Sequence, residues 1–250
     1  TTGTTNTAVG ALSMQSATTA NFNTAVGYDA GGDITTGSSN TVLGMEALSK
    51  TTTGVSNTAV GQGALNFNTT ASNNTAVGAT ALAANTTGAS NTAVGSACFD
   101  VNTTGDFNVG VGRSAGGANT TGSQNIAIGF QALEANTTAD NNTAIGFKAL
   151  EANTTGYRNT AIGATAGDAI TTGLANTTMG FESLTDLTTG SNNVAIGEQA
   201  LANSTTGGNN TAVGRKALKA VTTGVNNDAF GLECADNLTT GSSNTLIGNG

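Results

Sequence analysis

The stretch Asn74–Gly88 reads NTAVGATALAANTTG, and after two intervening residues the chain starts again at Asn91 with the same pentapeptide NTAVG. This recurrence decides the fold. Asparagine stands at Asn6, Asn23, Asn40, Asn57, Asn74, Asn91, Asn108, Asn125, Asn142, Asn159, Asn176, Asn193, Asn210, Asn227 and Asn244, a spacing of seventeen held over fifteen units without insertion or deletion. A glycine follows each of them four places on, from Gly10 to Gly248. A Thr-Thr pair keeps the same period and is followed by Gly in twelve cases and by Ala20, Ala71 and Ala139 in the other three. A fixed period on this scale is the mark of an architecture in which each unit stacks on its neighbours.

Numbered from its Asn, the unit is N-T-A-V-G-x-x-A-L-x-x-N-T-T-G-x-x. Position 4 is apolar in every unit, as in Val9, Leu43, Ile128, Met179 and Phe230, and is read as buried. Position 8 is always small, with Ser13, Cys98, Ser183 and Cys234 replacing the usual Ala. Position 9 is mostly Leu. It shrinks at Gly31, Gly116, Gly167 and Ala235, and in three of these four coils position 12 becomes Ile34, Ile170 or Leu238, an exchange of volume expected inside one close-packed layer. Of the 22 charged residues (7 basic, 15 acidic), 21 fall at positions 6, 7, 10, 11, 16 and 17, with Asp228 the exception. Charge spaced in this way marks the corners and outer faces of a closed coil rather than one stripe of a helix.

Recurrent Gly, paired Thr and β-branched Val or Ile suit short strands and turns. The unit is also shorter than the roughly 33 residues of helical-pair repeats. The expectation is therefore an all-β protein, a β-solenoid (β-roll or β-helix) of about fifteen 17-residue coils. Each coil is expected to carry two strands, one near N-T-A-V and one from A-L to T-T, with the glycines of positions 5 and 15 at sharp turns or positive φ. Residues 1–250 are read as a single continuous repeat domain, a segment of a longer array. Stacked coils set like residues above one another. The asparagines enumerated above then form an amide ladder, and Thr86, Thr87, Thr103, Thr104, Thr120, Thr121, Thr137, Thr138, Thr154 and Thr155 form a hydroxyl ladder.

Composition argues against several function classes. Charged residues are 9%, aromatics 4% and the net charge is -8, with no basic stripe or stacking platform, so nucleic acid is not an expected partner. No apolar run approaches the roughly 18 to 20 residues that cross a bilayer, so no membrane insertion is expected of this segment. Histidine is absent, which removes Ser-His and Cys-His pairs. Glu134 and Glu151 share a unit position on adjacent coils and are read as solvated corner charges. Cys98 and Cys234, both at position 8, are read as small buried hydrophobes. The chain is not expected to be an enzyme or to hold a metal or cofactor.

The pentapeptides NTAVG, in six copies, NTAIG at Asn142 and Asn159, NVAIG at Asn193 and NIAIG at Asn125 resemble the S-V-A-I-G type motif of YadA-like trimeric autotransporter adhesin heads. They are closer still to the N-T-A-[VI]-G repeats of tail-fibre-like bacterial and phage surface proteins. The resemblance covers the whole chain and implies a left-handed β-roll, three chains side by side and extracellular display on a cell surface or virion fibre. The unit here is seventeen residues rather than about fourteen, and its Asn lies one place nearer the glycine.

The expected function is thus a structural extracellular repeat rod of a surface fibre or adhesin. Its partners would be further copies of itself, in a lateral trimer or an end-to-end filament, and a surface ligand or glycan. The alternative is an ice-binding solenoid that uses its Thr ladders, against which adjacent Thr-Thr places its two hydroxyls on opposite faces of a strand. Asn68, Asn85, Asn102, Asn119, Asn136 and Asn153 each begin N-T-T, six consecutive glycosylation acceptor sequences. The same position holds Ile34, Ile170, Leu187, Val221 and Leu238 elsewhere, which argues for an inward-pointing site.

Overall fold

The structure is a computed structural model that describes residues 2–250; Thr1 lies outside the described residues. The chain divides into two compact units that meet in sequence at Asn125 and Ile126. The first contains β1 (Thr7–Val9), β2 (Thr24–Val26), β3 (Thr41–Leu43), β4 (Thr58–Val60), β5 (Thr75–Val77), β6 (Thr92–Val94) and β7 (Val109–Val111). The second contains β8 (Ile126–Ile128), β9 (Thr143–Ile145), β10 (Thr160–Ile162), β11 (Thr177–Met179), β12 (Val194–Ile196), β13 (Thr211–Val213), β14 (Asp228–Phe230) and β15 (Thr245–Ile247). No helix occurs among the described residues. Within each unit every strand pairs in parallel with the next, and the register matches the repeat: Thr75↔Thr92, Ala76↔Ala93 and Val77↔Val94 in the first, Thr143↔Thr160 and Ile145↔Ile162 in the second. Each unit is therefore a β-solenoid of 17-residue coils.

Each coil has one strand, at positions 2 to 4, rather than two. The arc from position 6 to position 11 is a run of tight turns, because positions 7 and 9 take positive φ in every coil, as at Thr80 (56°) and Leu82 (51°). A strand needs both residues extended, so left-handed backbone at alternate positions excludes it. Hydrogen bonds along the arc run alternately within the coil and between coils. Ala83 N donates to Thr80 O (3.2 Å) and Asn85 N to Leu82 O (3.1 Å), while Leu82 N donates to Cys98 O (3.0 Å) and Ala84 N to Asp100 O (2.9 Å) of the next coil. Left-handed backbone at a leucine costs about 1–2 kcal/mol. Leu82, Leu133, Leu150 and Leu201 are fully buried, which returns about 1.5–3 kcal/mol each, so burial outweighs the strain.

The side that faces inward along the strand is position 3, not position 4. Ala76, Ala93, Ala144 and Ala161 have no exposed surface, whereas Val94 is 37%, Leu43 50% and Phe230 41% exposed. Side chains alternate along a strand, so burying the small position 3 against the residues of positions 8 and 9 turns positions 2 and 4 out together. Position 2 lies on the same outer side, with Val109 exposed and Ile126 and Val194 half-buried.

The core consists of positions 3, 8, 9 and 12, and it conserves volume across neighbouring coils as well as within one. A Cβ on Gly31 would lie 2.8 Å from Ile34 Cδ1, and one on Gly167 2.9 Å from Ile170 Cδ1, so each isoleucine occupies the space of the missing leucine. Gly116 is explained by the coil before it. Phe99 replaces Leu at position 9 there, and its ring occupies the place where a Gly116 Cβ would be. The same ring, with Cys98 Sγ, fills the place of a Cβ on Gly110, which stands where other coils have Ala. Conversely, Val42, Thr178 and Leu246, the larger residues at position 3, each follow a coil whose position 9 is Gly31, Gly167 or Ala235. Position 9 of one coil and position 3 of the next share a single allotment of space.

Glycine is required at position 5 and only favoured at position 15. Gly78 has φ 137°, which L residues avoid, and an added Cβ would meet the Gly95 carbonyl at 2.6 Å. Position 15 does not take a positive φ. Its constraint is closeness, since a Cβ on Gly88 would run into Gly105 O, and Ala20, Ala71 and Ala139 show that a coil can shift to admit a methyl.

Candidate functional site

The asparagine of position 1 binds backbone in two coils at once. Asn74 Nδ2 donates to Gly88 O of its own coil (2.9 Å), and Asn74 Oδ1 accepts the backbone N–H of Asn91 one coil on (2.9 Å). The same pair of bonds recurs at Asn159, to Gly173 O (2.8 Å) and from Asn176 N (3.0 Å). Only a side chain with donor and acceptor at this reach does both; Asp lacks the donor and Gln is one methylene too long.

At position 12 the six N-T-T asparagines are fully buried. Asn85 Nδ2 donates to Gly88 O (2.8 Å) and to Asn68 Oδ1 (3.1 Å), and Asn153 Nδ2 donates to Gly156 O (2.9 Å) and to Asn136 Oδ1 (3.1 Å). An acceptor sequon must present its amide nitrogen to solvent, so the folded coil corrects the reading of Asn68, Asn85, Asn102, Asn119, Asn136 and Asn153 as glycosylation sites. Among the described residues, two buried side-chain atoms, Asn153 Oδ1 and Ser204 Oγ, have no partner. Each stands where the next coil puts an apolar residue, Ile170 or Val221, at position 12.

The paired threonines divide into an inner and an outer column. Position 13 is half-buried in most coils and serves the fold: Thr86 Oγ1 donates to Thr103 O (3.0 Å), Thr103 Oγ1 to Thr120 O (2.9 Å) and Thr154 Oγ1 to Thr171 O (3.1 Å). Position 14 is exposed in every coil, as at Thr87, Thr104, Thr121, Thr138 and Thr155, and none of these five hydroxyls bonds to the protein.

A second outer face carries an apolar column at position 4, beside a position 2 that is mostly Thr. Positions 2, 4 and 6 turn outward together, and position 6 adds Tyr28, Met45, Phe147 and Phe181, exposed by 44 to 51%. In the second unit the rings of Phe130 and Phe147 stack with centroids 5.6 Å apart.

An open groove of about 290 Å³ lies in the second unit and is lined by Thr138, Ala139, Asp140, Asn141, Thr155, Tyr157 and Arg158. It follows the outer threonine column past positions 16 and 17. The Arg158 guanidinium lies over the Tyr157 ring, 5.4 Å from its centroid. The sequence carries a signal for it that the repeat reading passes over: Tyr157 is the only aromatic residue at position 16, and Arg158 the only basic one at position 17.

Elsewhere the chemistry is structural. Glu151 accepts a hydrogen bond from Lys148 Nζ at 2.8 Å, and this carboxylate is the main cause that raises the lysine's proton affinity. Cys98 and Cys234 are free and buried, and burial pushes the Cys98 thiol up to about 12. No group of three or more His, Cys, Asp or Glu side chains with metal-binding geometry occurs among the described residues. No helix among them is long and apolar enough to cross a membrane. No protein-family model, curated protein or solved structure matches the chain.

Proposed function

We propose that this chain is a structural repeat rod of an extracellular surface fibre or adhesin, without catalysis or cofactor, built to associate with further copies of itself and to present a regular surface. The observation that carries the reading is the outward turn of position 4. A column of Val, Ile, Leu, Met and Phe, flanked by position 6 aromatics in four coils, is costly to leave in water, and contiguous apolar surface on a protein marks an association face. Each coil has a core of little more than alanines and one larger side chain, so lateral burial adds stability that a lone coil lacks. Three chains side by side is the arrangement implied by the likeness to the adhesin heads, and the same likeness supports display at a cell or virion surface.

Sedimentation tests this directly. The wild-type chain is expected to sediment as a lateral oligomer, and Ile128→Thr, Ile145→Thr and Ile162→Thr together are expected to release monomer with an unchanged β circular dichroism spectrum. A wild-type chain that stays monomeric at tens of micromolar would remove lateral assembly.

The exposed position 14 column supports a second reading, ice binding, because it offers one unbonded hydroxyl per coil at the strand-to-strand spacing of about 4.8 Å. Clear thermal hysteresis at micromolar concentration would put that reading in place of the fibre.

A further inference from the structure

We propose that the groove at Tyr157 and Arg158 is a binding site for a carboxylated saccharide, such as a uronic-acid-containing chain. The inference names a ligand for the presenting surface proposed above and rests on that reading.

Three observations converge on it. The first is shape, since the groove is an open concavity and its 290 Å³ lies near the lower end of small-ligand clefts. The second is the departure from the repeat. Position 17 takes left-handed backbone in every coil and is Asn in five of them (Asn73, Asn141, Asn192, Asn209 and Asn226), Ser in four and Thr, Phe, Gln or Ala in five others, so Arg158 departs from it in charge. Arg158 keeps that backbone (φ 60°) without a side chain favoured for it, and Tyr157 stands beside it in the same coil. Both departures face the groove, and neither is needed by the coil.

The third is the state of the arginine. Lys50, Lys148, Arg215 and Lys216 each pair with a carboxylate, whereas Arg158 makes no ion pair and no side-chain hydrogen bond among the described residues. In a chain of net charge -8 this guanidinium, 5.4 Å from the Tyr157 ring centroid, is left without a carboxylate partner among the described residues. Its planar fork matches a carboxylate through two parallel hydrogen bonds.

The rest of the lining suits a sugar rather than a peptide or a bare anion. Thr138 and Thr155 bring two hydroxyls from successive coils, and neither is engaged by the protein. Asn141 brings an amide, while Tyr157, 42% exposed, offers ring surface to a C–H face. The ligand's carboxylate is assigned to Arg158 and its hydroxyls to the threonines and Asn141.

The test titrates the whole chain with oligogalacturonate, with its methyl ester and with a neutral malto-oligosaccharide, following binding by calorimetry and saturation-transfer NMR. Tyr157→Ser with Arg158→Asn restores residue types that other coils carry at these positions, so the variant is expected to keep the wild-type circular dichroism and sedimentation. Wild type is expected to bind oligogalacturonate, with at least about 10-fold weaker binding for the double variant, the scale of one lost charge-assisted contact. The ester and the neutral sugar should bind similarly poorly, and Arg215→Gln, which touches an arginine paired with Glu233, should change nothing. No binding at millimolar sugar, equal binding of the ester, undiminished binding by the double variant, or equal weakening by Arg215→Gln would each overturn the proposal. Sedimentation of the same samples reads the assembly separately, so loss of the groove ligand and loss of the fibre reading give different results.

Discussion

Two columns of buried asparagine run along the coils, and they tolerate substitution very differently. Position 1 is Asn in all fifteen units, while position 12 is Asn in six consecutive coils and Ile, Leu, Val, Thr, Ser or Ala in others. Both columns donate to the same acceptor: Gly88 O receives Asn74 Nδ2 and Asn85 Nδ2 together. Loss of the position 12 amide therefore leaves that carbonyl bonded, as in the Ile170 coil, where Asn159 alone serves Gly173 O. Nothing duplicates the other half of the position 1 asparagine, whose Oδ1 satisfies the backbone N–H of the next coil. A residue becomes invariant here when it is the sole partner of a buried backbone group, and replaceable when its bond is shared.

Asn159→Ala should have the largest effect, because it strips both Gly173 O and the Asn176 N–H of their partners. At about 1–3 kcal/mol per orphaned group, a loss of roughly 3–5 kcal/mol is expected in urea unfolding followed by circular dichroism. A cost below that of Asn102→Ala would break the comparison.

Ile170→Asn sets hydrogen bonding against volume. It offers a donor to the orphaned Asn153 Oδ1 but removes the side chain that fills the space beside Gly167. Cavity formation is expected to win by about 1–3 kcal/mol, and a stabilised variant would show that position 12 follows bonding instead.

Asn102→Ala should cost about 1–2 kcal/mol, since Gly105 O keeps Asn91 and only the amide ladder from Asn85 to Asn119 is cut. Ser204→Ala should be the smallest change, neutral or slightly stabilising in the same unfolding assay, because the hydroxyl it removes has no partner.

Much of the fold is legible in the sequence because the repeat itself is a spatial statement. A period of seventeen with no slip yields the coil, the stacking, the place of the charges and the exchange between Gly31 and Ile34 or Gly167 and Ile170. The departures from expectation have one origin. Position 4, the largest invariantly apolar site of the strand, reads as core, yet Val94 and Phe230 face outward because alternation forces a choice and the arc behind the strand has room only for the small residue of position 3. The expected second strand is absent for a related reason, since nothing in A-L-x-x-N announces that Leu82 adopts left-handed backbone until its burial is seen to outweigh the strain.

The groove is half legible. Tyr157 and Arg158 stand out against the Ser and Asn of other coils, but they matter only when Thr138 and Asn141 are brought beside them from the preceding coil.

The sequence by itself determined the coil length, the parallel register and the residues that must lie in columns, because identical units can stack at full contact only in phase. Which way each column points was decided by the tertiary structure. Sidedness depends on how much volume the closed coil can hold, and that volume is set jointly by positions 3, 8 and 9 and by the neighbouring coil rather than by any residue alone.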